Sequence, residues 1–251
     1  MTTSNGEPDS YAFGIDIGGS GMKAAIVDLG TGALVTDRFR IDTPKPSTPD
    51  AMAEVVVDLV RHHRWEGTVG CAFPAVVRDG VVGSAANIDT SWLSVDADKV
   101  FSDALGVGVH MINDADAAGL AEVAYGVAAD RPGVVMMLTF GTGIGSGLFV
   151  DGVLVPNTEL GHLELDGQDA EQRAAASARK RYDWSWSEWS THVERYLRHV
   201  EGLFSPDLFV VGGGVSKQPG KWLDGISIDT EIAVASMANN AGIVGAALVA
   251  P

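Results

Sequence analysis

The feature that most limits what this chain can fold into is a strand–glycine turn–strand unit that occurs twice. The first copy runs from Tyr11-Ala12-Phe13-Gly14-Ile15-Asp16-Ile17 through Gly18-Gly19-Ser20-Gly21 into a strand at Lys23 to Val27. The second runs from Val134 to Thr139 through Gly141-Thr142-Gly143-Ile144-Gly145 into Ser146 to Val150. There Asp151-Gly152, a favoured hairpin dipeptide, turns the chain back over Val153 to Val155. Laid over each other, Asp16 falls on Thr139, Lys23 on Ser146 and Asp28 on Asp151. Hairpins at corresponding places in two halves predict an internal duplication, with two α/β domains and a ligand cleft between them. Residues 11–112 form the expected N-terminal domain, joined by a C-terminal helix over 232–251, and residues 113–231 form the C-terminal domain.

The connecting segments fit two α/β layers. A third strand is expected over Leu34 to Ile41, and Pro44, Pro46 and Pro49 mark a connection. Thr48 stands where a helix cap belongs, with Pro49 at the first helical position. Met52, Val55, Val56, Leu59 and Val60 then repeat with helical spacing. Apolar strands follow at Val69 to Phe73 and through Val107, Val109 and Met111, the latter ending at Asn113-Asp114 before the alanine-rich helix Ala115 to Tyr125. Ser185-Trp186-Ser187-Glu188 has capping-box spacing and opens another helix, in which Trp184, Trp186 and Trp189 are read as packing residues. Leu208 to Val211 is a strand that ends in Gly212-Gly213-Gly214.

Charge and cysteine content exclude several functions. With 17 basic and 33 acidic side chains the formal charge is −16, which repels nucleic acids. Cys71, the one cysteine, sits in an apolar run and reads as a buried inert thiol. No apolar stretch reaches membrane-spanning length. The polar residues 1–10 read as a disordered tail without a secretory signal, so the chain is expected to be cytoplasmic. Eight of the 17 basic residues nevertheless cluster between Arg173 and Lys221, a zone suited to a specific polyanion.

Three glycine turns at strand ends, with Ser20, Thr142 and Ser216 as hydroxyl donors, suit a chain of phosphates, because glycine lets backbone N–H groups approach closely. None has Walker A spacing. Asp16 beside the first turn either caps it or approaches a metal-bound phosphate, and Lys23 tilts the reading toward phosphate. At the Asn113-Asp114 junction, Asn113 and Asp116 are alternative helix caps, which leaves Asp114 available as a base. Glu159-Leu160-Gly161-His162-Leu163-Glu164, together with Asn87, offers the mixed donors and acceptors that a polyhydroxylated substrate requires.

These elements, in this order, resemble the ROK family (repressors, open reading frames, kinases) within the actin-like sugar-kinase superfamily. Asp16-Ile17-Gly18-Gly19-Ser20-x-x-Lys23 resembles its first phosphate motif, and Asn113-Asp114-Ala115-x-Ala117-Ala118 its catalytic junction. Phe140 to Gly147 resembles the second phosphate motif, Glu159-x-Gly161-His162 the sugar element, and Val211 to Ser216 the nucleotide-side turn. The resemblance implies an actin-like, ribonuclease H-like duplicated fold, with Asp114 as the base for a sugar 6-hydroxyl. It implies sugar binding by Asn87, Asn113, Asp114, Glu159, His162 and Glu171, with Glu164 as alternative to Glu171. Phosphate or nucleotide binding falls to Asp16, Gly18, Gly19, Ser20, Lys23, Thr142, Gly143, Gly213 and Gly214, with Asp16 near a magnesium ion without necessarily touching it.

Most family members follow the Gly-His pair with zinc-binding cysteines. None follows here, so zinc is not expected. A short, cysteine-poor member with the basic run Arg179-Lys180-Arg181 resembles the family's polyphosphate-using glucokinases. That branch implies polyphosphate, ATP or both as donor, glucose or mannose as acceptor, a polyphosphate path over Arg179, Lys180, Arg181 and Lys217, and a homodimer. An ATP-only glucokinase is the alternative reading, and a non-catalytic actin-like binding module the non-enzymatic one. The family's repressors carry a helix-turn-helix domain, for which ten residues before the first strand leave no room.

Overall fold

The computed structural model describes residues 10–86 and 88–250. The chain divides into two units, one running to Ala117 and taking back the residues from Gly242, the other spanning Ala118–Ala241. The expected boundary at residue 113 thus moves into the helix that follows it, and the return comes at Gly242 rather than at 232.

The first unit is built on strands β1 (Tyr11–Ile17), β2 (Met22–Asp28), β3 (Phe39–Ile41), β4 (Val69–Phe73) and β7 (Val109–Asn113), with the small hairpin β5 (Val77–Arg78) and β6 (Val81–Val82) beside them. Helices α1 (Pro49–His63) and α2 (Ala97–Leu105) pack together. The main sheet has the order β3-β2-β1-β4-β7. Phe13, Ile15, Met52, Val56, Leu59, Phe73, Trp92 and Phe101 fill its core. Helix α3 (Asp114–Tyr125) crosses from this unit into the next.

The second unit repeats the scheme with β8 (Val134–Phe140), β9 (Ile144–Val150), β10 (Val153–Val155), β13 (Leu208–Gly213) and β14 (Glu231–Val234), in the order β10-β9-β8-β13-β14. A short hairpin, β11 (Glu164–Leu165) and β12 (Gln168–Asp169), leads into α4 (Glu171–Ala174), α5 (Ala176–Arg181) and α6 (Trp186–Phe204). Both five-stranded orders are the same, an antiparallel hairpin and third strand joined to two parallel strands. The duplication expected from the glycine hairpins is therefore present as topology. Its detailed overlay shifts by one residue, because the second turn is one residue shorter. Asp16 pairs with Lys23 whereas Thr139 pairs with Gly145, so Lys23 corresponds to Gly145 and not to Ser146. By the same count Asp28 corresponds to Val150.

Three expected elements change. The strand over 34–41 is paired only at Phe39–Ile41 plus one bridge from Leu34 to Val27. The cause is local: the Thr36 hydroxyl accepts from the Ile26 N–H at 3.1 Å and takes the place of a backbone carbonyl in the ladder. The helix expected over 232–251 is instead β14 followed by a short helical turn and α7 (Ala241–Ala247). Ile232 and Val234 are β-branched and continue the parallel ladder of β13, with Leu208 opposite Glu231. At α1, Thr48 occupies the cap position without a side-chain hydrogen bond, and Pro49 fixes the start. Helix α7 lies so close to β1 and β4 that a Cβ on Gly14 or Gly70 would fall within 2 Å of a carbonyl oxygen of α7.

Other readings hold as made. The Ser185–Glu188 capping box is closed in both directions, at 3.2 and 2.8 Å. Trp189 is buried, and its indole N–H reaches the Ala174 and Ala175 carbonyls at 3.1 and 3.0 Å. Cys71 is buried, and desolvation with the nearby Asp98 charge pushes its thiol pKa up, leaving it unreactive. Among the described residues no helix is long and apolar enough to cross a membrane.

Candidate active site

In the first unit the turn after β1 closes through Gly18 N–H to Gly21 O at 3.1 Å. Among the described residues no protein acceptor meets the exposed N–H groups of Gly19 and Ser20. Asp16 and Lys23 face each other across β1 and β2 and form an ion pair at 2.8 Å, mostly shielded from solvent. Two side chains not singled out in the sequence steady this turn. Arg40 on β3 donates to Ser20 O at 2.7 Å, and the Thr43 hydroxyl donates to Gly18 O.

At the end of β7 the cap left open by the sequence is Asn113. Its Oδ1 accepts from the N–H groups of Ala115 and Asp116 at 2.9 and 3.1 Å, and its Nδ2 donates to Ala75 O at 3.1 Å. Asp114 stands exposed between the buried Asn113 and Ala115. This arrangement limits what Asn113 can offer a sugar. Both lone pairs of its carbonyl are spent on the helix, and one N–H remains for a hydroxyl. Asn87 lies outside the described residues.

In the second unit the segment after β10 is pinned to β9. The buried Ser146 hydroxyl donates to Thr158 O at 2.6 Å and accepts from Leu160 N–H at 3.0 Å. Gly161 passes so near β9 that a Cβ there would lie 2.3 Å from Ile144 O, which explains the glycine between Glu159 and His162. This loop sets His162 Nε2 at 3.8 Å from Glu159, while its Nδ1 meets Asp169 on β12 at 3.0 Å. The Asp169 hydrogen bond, aided by the charges of Glu171 and Glu159, holds the His162 pKa above its ordinary value. Partial burial raises that of Glu159. Glu171, first residue of α4, accepts from Ile144 N–H at 3.0 Å. Ligand atoms of His162, Asp169 and Glu171 lie within 4.8 Å of one another, an N/O set of the kind that holds a divalent cation. Glu164 is exposed on β11 and outside this cluster, so Glu171 is the nearer of the two candidates. Asp169, absent from the sequence reading, comes in only because the β11–β12 hairpin folds it back.

The second and third glycine turns end neighbouring parallel strands, with Gly213 opposite Phe140. Gly141 N–H closes on Gly143 O at 2.9 Å, and Ser177 of α5 binds Thr142 O at 2.6 Å. The third turn is tied by Ser216 to Gly213 O at 2.8 Å. Of the expected polyphosphate residues, Lys180, Arg181 and Lys217 are exposed. Arg179 is not free in the same way, since its guanidinium lies 4.1 Å over the Trp186 ring and donates to Trp184 O at 3.1 Å. The wider basic zone is partly neutralised by the Arg195–Asp166 and Arg198–Glu194 pairs.

Residues 12–183 match the family model for the ROK family. The chain belongs to the ROK family. This ROK protein is 47% identical over 239 residues to the polyphosphate glucokinase of Mycobacterium tuberculosis, covering 95% of this chain and 90% of that one. It is 47% identical to the polyphosphate glucokinase of Mycobacterium leprae, covering 94% and 73% of the two. Its structure matches the crystal structure of the inorganic polyphosphate/ATP-glucomannokinase from Arthrobacter sp. strain KM with a TM-score of 0.92 and 50% identity, over 96% of this chain and 98% of the other. A ROK family glucokinase from Streptomyces griseus, in complex with glucose and AMPPNP, shares the fold at a TM-score of 0.80 and 24% identity, over 96% and 99%. The fold is therefore the actin-like duplication of the ROK sugar kinases.

Proposed function

We propose that this protein is a hexokinase that transfers a phosphoryl group from inorganic polyphosphate or ATP to the 6-hydroxyl of glucose, and also of mannose. The observation that carries the reading is identity near one half, sustained over almost the whole chain, to enzymes whose names state that donor and that sugar.

The roles are those the family resemblance implies, and the chemistry of each residue suits its role. Asp114 accepts the proton of the sugar 6-hydroxyl as that oxygen attacks the terminal phosphorus. The bond from that phosphorus to the bridging oxygen breaks, and the donor leaves one phosphate shorter. Asn113 positions Asp114 by ending the strand and capping the helix. Glu159 and Glu171 accept from sugar hydroxyls, and protonated His162 donates to one; the Nδ2 of Asn113 and the Asn87 amide complete that set. Backbone N–H groups of Gly18, Gly19, Ser20, Thr142, Gly143, Gly213 and Gly214 cradle phosphate oxygens, with Lys23 supplying charge. Lys180, Arg181 and Lys217 draw in the distal part of a polyphosphate.

The donor chemistry calls for Mg²⁺, which neutralises charge on the phosphates when bound. Asp16 fits a supporting role, because one of its carboxylate oxygens is held by Lys23 and the other remains for an ion or its water. The homodimer rests on the family resemblance, and the cytoplasmic setting on the polar first ten residues. The exposed Val153 and Val155 on the edge strand β10, with Val150 on the neighbouring β9, supply an apolar patch suited to self-association.

The test is formation of glucose 6-phosphate by purified protein with Mg²⁺, supplied with polyphosphate or ATP separately. Turnover with polyphosphate supports the proposal, and turnover with ATP alone reassigns the protein as an ATP-only glucokinase. Silence with both donors and both sugars overturns the kinase reading in favour of a binding module.

A further inference from the structure

The glycine turn after β1 carries a second cation, and it comes from the edge strand rather than from the turn's own sequence. Arg40 lies on β3 opposite Lys23. Its guanidinium rests so directly on Gly21 that a Cβ there would fall 2.4 to 2.6 Å from Nε, Nη2 and Cζ. Nη2 donates to Ser20 O at 2.7 Å, and Nη1 to Asp42 at 2.6 Å. A guanidinium has five N–H groups, so three remain for another acceptor.

The charges around the turn are not equivalent. Lys23 is already matched by Asp16 within a mostly shielded pair. Asp42, by contrast, is 82% exposed and Arg40 47% exposed, so their attraction is weak in water and easily exchanged. A phosphate oxygen arriving at the N–H groups of Gly19 and Ser20 carries more charge than a carboxylate and accepts from a guanidinium in the same forked geometry.

We propose that Arg40 is a donor-binding residue: it holds the first glycine turn in shape through Ser20 and binds a phosphate oxygen of the phosphoryl donor in place of Asp42. The assignment rests on the reading of this turn as a phosphate cradle. It makes Gly21 a requirement of the guanidinium that covers it, and makes Asp42 a competitor that weakens donor binding.

Three variants test this: Arg40→Gln, Arg40→Lys and Asp42→Asn, compared by kinetics with each donor at saturating glucose and by calorimetric titration with tripolyphosphate. Arg40→Gln is expected to raise KM for polyphosphate and ATP about tenfold, as loss of one charge-assisted contact does, with the glucose KM unchanged within twofold. Arg40→Lys recovers most of that loss, and Asp42→Asn lowers the donor KM. Salt raises the donor KM of Arg40→Gln less steeply than that of the wild type. If both Arg40 variants instead lose kcat and melting temperature together with donor KM untouched, Arg40 is a clasp for the turn and the proposal falls. If the wild type and Arg40→Gln bind tripolyphosphate equally, the assignment of Arg40 falls while the cradle stands. Absence of tripolyphosphate binding by the wild type removes the cradle itself.

Discussion

The two halves place a carboxylate near the end of the fifth strand in opposite ways. In the first, β7 runs into Asn113-Asp114; the Asn113 amide caps α3, and Asp114 is left exposed. In the second, β14 runs into Ala235-Ser236-Met237, and the carboxylate there is Glu122, brought in from α3 and buried. It accepts from Met237 N–H at 2.7 Å, from the Ser236 hydroxyl at 3.0 Å and from Val127 N–H at 3.0 Å. One topology thus yields a buried carboxylate that accepts three hydrogen bonds and another that faces solvent. The shared sheet order sets where a strand ends, and the residue found there decides whether its side chain is tied into the fold or left at the surface.

The strongest way to break this comparison is to neutralise the exposed member. Asp114→Asn is expected to lower kcat by about 10²- to 10⁴-fold, the range for a lost general base, with the melting temperature nearly unchanged. Ser236→Ala, which removes one hydrogen bond to Glu122 in the second half, should leave turnover within twofold. Wild-type turnover in Asp114→Asn would show that the asymmetry has no catalytic meaning.

A second contrast separates a proposed phosphate-turn glycine that the fold also requires from one that the fold does not require. Gly213 has φ +83°, and a Cβ there would lie 2.4 Å from Phe140 O, so Gly213→Ala should cost about 3 kcal/mol and lower the melting temperature by about 10 °C. No atom lies within 4 Å of a Cβ placed on Gly19. Gly19→Ala should melt like the wild type while raising the donor KM, because its methyl group stands among the exposed N–H groups. An unchanged donor KM would remove the first turn from the phosphate site.

The buried carboxylate gives the next effect. Glu122→Gln keeps size and shape but sets an amide N–H₂ against donors, and should destabilise by about 2 kcal/mol in urea unfolding, with the sugar KM unaffected. No loss of stability would mean that the second junction does not depend on Glu122.

Much of this was legible in the residues. The paired hairpins gave the duplication because a glycine turn between apolar strands leaves few other structures. Asp114 was open to reading as a base because Asn113 and Asp116 offered other caps, and Asn113 proved to be the cap. What stayed hidden depends on long-range approach. Asp169 reaches His162 only through a two-residue-strand hairpin that periodicity cannot detect, and Arg40 reaches the first turn only once β3 pairs with β2. Ile232 to Val234 misled because small residues continue from them into α7, while only the open edge of β13 makes them a strand. Glu122 sits in an alanine-rich helix where a carboxylate reads as surface.

The smallest effect tests whether the sugar-side cluster is tuned by the residue that the sequence did not show. Asp169 is the main reason that the His162 pKa stands above its ordinary value, so Asp169→Asn should bring it back down. The Glu171 and Glu159 charges would keep it from falling further. The sign fixes the stability effect: a raised histidine pKa contributes stability that is complete below the unfolded-state value and is lost as pH rises through the folded one. Asp169→Asn removes that contribution, so the wild type's small advantage should be present at acidic pH and vanish as pH rises through the folded-state value. Glu159, whose pKa burial raises, works the other way on binding: sugar affinity should weaken as pH falls and its carboxylate takes up a proton. Following the His162 ring protons by NMR across pH in both proteins reads the shift directly. An identical titration in the two would mean that the 3.0 Å contact does not persist in solution, leaving Glu159 and Glu171 to hold the imidazole.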